Sequence, residues 1–133
     1  MQVLDLDARS ISLPDANENF PQVLTAAADG FKVCFGLGIS EDLSWFRGHF
    51  PDMPILPGVV QLHWAVVVAR AVFEFPDSPL EVKRLKFKNV VIPPKELELS
   101  VCLHAPKEVQ FEFHSSDEKY SLGRLVFALS ATC

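Results

Sequence analysis

Arg47-Gly48-His49-Phe50-Pro51-Asp52-Met53-Pro54-Ile55-Leu56-Pro57-Gly58-Val59-Val60 is the stretch that organises the rest of the chain. Prolines recur at every third position, Pro51, Pro54 and Pro57. Each fixes its own φ and pushes the residue before it towards extended geometry. The segment therefore neither coils into a helix nor pairs as a central strand. It is a stiff lead-in that holds His49 in one place. Pro57 suits the first helical position, where its missing N–H costs nothing. Gly58 then leaves its backbone N–H open at the positive end of a helix dipole. A histidine base beside a bare helix N-terminus is the pair that acyl chemistry needs.

Downstream, Pro57 to Phe73 is apolar nearly all round and carries six valines. Valine by itself favours strand. Seventeen residues without a turn signal, however, are long for a strand and ordinary for a helix. Such a helix needs cover on most sides, which a sheet wrapped around it supplies. Phe75 to Pro79 ends it. Four strands are predicted after it: about Val82 to Ile92, Leu97 to His104, Val109 to His114, and Tyr120 to Ala131. Pro93-Pro94-Lys95, Ala105-Pro106-Lys107 and Ser115-Ser116-Asp117 separate them. In the first of these strands alternation places Leu85, Phe87, Asn89 and Val91 on a face towards the helix. Arg84, Lys86 and Lys88 then face water. Upstream, residues 1–20 read as an irregular lead-in and Gln22 to Ala28 as a short helix or turn. Asp29-Gly30 is a turn, and Phe31 to Leu37 alternates as a strand.

At 133 residues the chain reads as one domain, 1–133. A hydrophobic content of 49% with 22% charged residues belongs to a folded chain rather than a disordered one. A net charge of −5 argues against a nucleic-acid partner, which wants a basic face. Cys34, Cys102 and Cys133 have no metal-like spacing and form an odd set, as reduced thiols of a cytoplasmic protein do. The first twenty residues carry four acids and no apolar run, unlike a signal peptide. The run from Val59 to Phe73 is too short and too interrupted to span a membrane. No metal site and no Gly-rich phosphate loop is evident.

The pattern Gly-His-Phe-Pro-x-x-Pro-x-x-Pro-Gly-Val, residues 48 to 59, resembles the signature of bacterial 3-hydroxyacyl-[acyl-carrier-protein] dehydratases. Leu85-Lys86-Phe87-Lys88-Asn89-Val90-Val91-Ile92-Pro93 is similar to the strand these enzymes place after their central helix, and the aryl-polyene branch is the nearer relative. The resemblance implies an α+β hot-dog fold, an antiparallel sheet wrapped around one long helix. It also implies dehydration of 3-hydroxyacyl thioesters on acyl carrier protein, with no cofactor or metal. His49 is then the base at Cα, helped by an imidazole pKa near ~6.5, and the Gly58 N–H receives the thioester oxygen. Phe50, Met53, Pro57, Val59 and Gln61 are the candidate substrate contacts, with Trp64 beside them.

One position departs from the family. The residue fourteen after the histidine is usually a helix glutamate; here it is His63. Its neighbours one turn away, Val59 and Val67, are apolar. His63 reads either as a core histidine or as a replacement acid supplied across a dimer interface, sharing one proton with His49. A homodimer or higher even oligomer is expected, or a heterodimer with a paralogue. Arg84, Lys86 and Lys88 are the candidate docking cluster for an acidic carrier protein. Two other functions stay open: a non-catalytic carrier-binding subunit, and a hot-dog thioesterase.

Overall fold

The computed structural model describes residues 11–17, 19–44 and 54–128. Seven elements follow in order: β1 (Gln22–Asp29), β2 (Lys32–Ile39), α1 (Gly58–Phe73), β3 (Glu81–Phe87), β4 (Lys95–Ala105), β5 (Glu108–His114) and β6 (Lys119–Val126). The strands form one antiparallel sheet in the order β1-β2-β4-β5-β6-β3. Helix α1 packs against β4, β5 and β6, the arrangement expected of a hot-dog domain.

Alternation builds the core. Val33, Phe35, Leu37 and Ile39 of β2, Leu97, Leu99 and Val101 of β4, and Val109, Phe111 and Phe113 of β5 are buried, at the spacing of two that puts side chains on one face. They meet Val60, Trp64, Ala65, Val68, Ala69 and Val72 of α1. Trp64 is fully buried and donates its indole N–H to the Asn19 carbonyl at 3.0 Å. It is therefore a core residue rather than part of an open channel.

Three expectations are corrected. Gln22 to Ala28 is neither helix nor turn: its alanines pair with β2, Ala26 opposite Phe35 and Ala28 opposite Val33. The hairpin closes at Gly30, whose φ of +61° is most easily adopted by a residue without a side chain. Pro57 is the N-cap rather than the first helical residue, because its ψ of 143° is extended. Finally, β3 ends at Phe87 and does not run on to Ile92. Its alternation also fails, since the register with β6 shifts between Lys83 and Lys86 and Arg84 adopts φ +53°. Every residue of β3 is exposed, so neither face of that strand is buried by the described residues.

That leaves an apolar margin. Leu80, Val82, Leu85, Phe87, Val90 and Ile92 are exposed on β3 or just before and after it. The strand pairs with β6 on one side, and its other side is an edge of the sheet with no partner among the described residues. Helix α1 shows a matching open stripe: Val59 and His63 are exposed, and Val66 and Val67 are only half-buried.

Candidate active site

The first turn of α1 is the centre of the candidate site. The Pro57 carbonyl accepts the N–H groups of Val60 and Gln61, at 3.1 and 3.2 Å. The N–H groups of Gly58 and Val59 make no hydrogen bond to a described residue, as the opening turn of a helix requires. No side chain caps the turn, because Pro57 offers no acceptor there. Two unpaired donors therefore point out of the positive end of the helix.

The turn is held from behind. The Leu56 N–H donates to the Val91 carbonyl at 2.9 Å, tying the chain that enters the helix to the chain that leaves β3. Gln61 is 3% exposed. Its Nε2 donates to the Leu56 carbonyl at 3.3 Å, and its Oε1 accepts from Ser121 Oγ at 2.7 Å. Expected as a substrate contact, Gln61 is turned into the core with its carboxamide committed to protein groups.

Gly58 has a packing role that the sequence did not reveal. A methyl group placed on it would come 2.7 Å from Cε1 and Cζ of Phe87. The ring of the β3 terminal residue thus lies directly on the glycine. Phe87 is nonetheless 52% exposed, so one ring face is on the turn and the other is open.

His63 follows one turn after Val59. It is exposed and makes no hydrogen bond to a described residue. The core-histidine alternative is thereby overturned: apolar neighbours along the helix mark its uncovered stripe here rather than its buried one. Helix α1 carries no carboxylate anywhere along its length. His49, Phe50 and Met53 lie outside the described residues, and so do Trp45 and Phe46. Pro57 is half-buried and Val59 is 72% exposed, beside the open donors.

The basic cluster is regrouped. Arg84 and Lys86 border a hollow of about 350 Å³, joined by Arg124 and Gln110 rather than by Lys88. None of the three cations has an ion-pair partner among the described residues, whereas Lys83 pairs with Glu108 and Lys119 with Glu112. Arg124 escaped attention because it lies on β6, opposite Lys83, far along the chain. A polar cluster, also absent from the sequence reading, lies across β2, β4 and β5. Ser100 Oγ is 2.8 Å from His114 Nε2 and 3.3 Å from Cys34 Sγ, with Glu98 3.7 Å from His114 Nδ1. Among the described residues no group of His, Cys, Asp and Glu could hold a metal ion, and no helix is long and apolar enough to cross a membrane.

Comparisons with known proteins agree with this geometry. A family model described as ApeI dehydratase, ApeI-like, matches residues 25–124, a range that includes Gly58, His63 and Phe87. A 3-hydroxyacyl-[acyl-carrier-protein] dehydratase FabZ from Natranaerobius thermophilus is 32% identical over 102 residues, 68% of this chain and 72% of the relative. The FabZ of Legionella pneumophila is 28% identical over 109 residues, 71% of this chain and 73% of the relative. Among solved structures, the dehydratase heterocomplex ApeI:P from Xenorhabdus doucetiae matches with a TM-score of 0.74 at 26% identity. That match covers 80% of this chain and 96% of the other.

Proposed function

Because this chain belongs to the ApeI-like dehydratase family, we propose that it dehydrates 3-hydroxyacyl thioesters held on acyl carrier protein, in fatty-acid or polyene-type lipid synthesis. His49 removes a proton from Cα, and the electrons move into the thioester carbonyl, whose oxygen is met by the Gly58 N–H. The enolate then expels the C3 hydroxyl, which leaves as water with a proton from His63 of a neighbouring protomer. The product is the trans-2-enoyl thioester. Only protons move between protein and substrate, so the step needs no redox cofactor. Phe50, Met53, Pro57 and Val59 contact the acyl arm.

The single observation that carries this reading is the exposed His63, one turn beyond two backbone donors unpaired among the described residues, on a helix stripe that those residues leave uncovered. A group placed there meets substrate once a second chain is present. The free edge of β3, with its apolar margin, supports assembly by sheet continuation into a homodimer or higher even oligomer. Arg84 and Lys86, with Arg124 and with Lys88 nearby, form the docking surface for an acidic carrier protein. Cys34 and Cys102 are free thiols, which supports a cytoplasmic setting.

A second reading is favoured by one feature: α1 has no carboxylate where the family usually places its acid. On that reading the chain binds the loaded carrier and pairs with a paralogue that supplies the glutamate. Incubating pure protein with a 3-hydroxyacyl carrier protein, and following loss of water by mass spectrometry, separates the two. Dehydration by the chain alone establishes the enzyme. Turnover only after the paralogue is added establishes the subunit, and release of free acid would identify a thioesterase instead.

A further inference from the structure

We propose that Phe87 is a positioning residue of this reaction. Its ring, seated on Gly58, holds the first turn of α1 so that the Gly58 N–H stays aimed at the thioester oxygen. The proposal rests on the dehydratase reading and on Gly58 as the oxyanion donor.

The residue type at position 58 is the first argument. Among the described residues Gly30 is the glycine with a positive φ, so Gly58 does not owe its identity to a left-handed backbone. Alanine would be the better helix former there. At this position its Cβ would stand 2.7 Å from the Phe87 ring, which would have to shift off the turn. The glycine and the ring are thus one unit.

The second argument is the ring's own placement. Phe87 is 52% exposed, so ordinary core burial does not account for it. Its contact falls on the opening turn of α1, which no side chain caps. The Leu56–Val91 hydrogen bond holds the same turn on the side where the chain enters. Between them, the bond and the ring fix a segment whose two open donors would otherwise be free to tilt. A donor displaced by about 1 Å forfeits much of its effect on a developing charge.

The test is a double-mutant cycle on kcat and on melting temperature, using Gly58→Ala, Phe87→Ala and the double variant, with Phe87→Leu as the conservative replacement. Substrate is a 3-hydroxyacyl carrier protein, and rates are taken per folded, assembled molecule. Phe87→Ala is expected to lower kcat by at least ~10-fold while KM changes less than about 3-fold, as follows from misplacing a donor; Phe87→Leu should recover part of that loss. Gly58→Ala should lower the melting temperature of the wild type and not that of Phe87→Ala. The double variant should be no slower than Phe87→Ala alone, because the two residues act through one contact. Additive losses in kcat, or an unchanged kcat in Phe87→Ala, would overturn the proposal. A change confined to KM that varies with acyl length would overturn it too, by showing that Phe87 touches substrate. An inert wild type would instead defeat the dehydratase reading beneath it.

Discussion

Ser121 on β6 donates its hydroxyl to Gln61 on α1 at 2.7 Å, inside the core, and the same glutamine donates to the Leu56 carbonyl. The bond couples the sheet to the lead-in of the helix. Gln61→Leu keeps the volume but strands the Ser121 hydroxyl and the Leu56 carbonyl, each worth about 1–3 kcal/mol when left unpaired. A loss of about 2 kcal/mol or more is expected from urea unfolding at fixed protein concentration. Ser121→Ala should cost nearer 1 kcal/mol. A neutral Gln61→Leu would show that water replaces the bond.

At His63, alanine and glutamate give opposite expectations. Removing a general acid typically costs ~10²-fold or more, so His63→Ala should be that much slower. His63→Glu, which restores the family's usual residue, should retain or raise the rate. Because His63 is exposed, neither change should unfold the protein. If His49 acts as base and His63 as acid, the wild-type rate should fall on both sides of an optimum pH. Wild-type rates in His63→Ala would remove it from the mechanism.

The β3 edge can be blunted with charge. Leu85→Lys combined with Val90→Lys places two cations on the apolar margin, the usual defence of an unpaired edge. Light scattering should then report a monomer at micromolar concentration, with activity reduced by more than ~10-fold as the shared site is lost. A variant that remains assembled would move the interface elsewhere.

Carrier docking is tested by reversing charge at the hollow. Lys86→Glu with Arg124→Glu should raise KM for carrier-bound substrate by about 10-fold or more at low salt, and less at high salt. Turnover of a short pantetheine thioester should be unchanged. Equal loss on both substrates would mean that the pair supports the fold.

Much of the architecture was legible. Length settled Gly58–Phe73 as a helix despite its valines, and turn residues bracketed β4 and β5 to within a few positions. Other parts were not, for physical reasons. Ala26 to Ala28 have helical propensity, and only pairing with β2 makes them strand. The bulge at Arg84 breaks alternation through a backbone angle that no side chain announces. His63 looked ambiguous because valines flank it on both sides, and periodicity cannot say which apolar stripe a chain leaves for a partner. Gly58 was singled out from the sequence, yet the ring that lies on it comes from a strand nearly thirty positions on. His49, the residue on which the motif turns, lies outside the described residues.

The open edge at β3 also bears on how the protein is made. A newly folded chain presents a strand whose outer side has no partner among the described residues, flanked by Leu80, Val82, Leu85 and Phe87, the kind of surface that recruits whichever strand arrives first. Correct pairing therefore competes with aggregation, and the outcome depends on how soon the proper partner is met. If that partner is a second gene product, synthesis of the two chains must be kept in proportion, because the surplus chain would be left to chaperones and proteases. Abundance measured without the partner would then understate what the sequence can sustain.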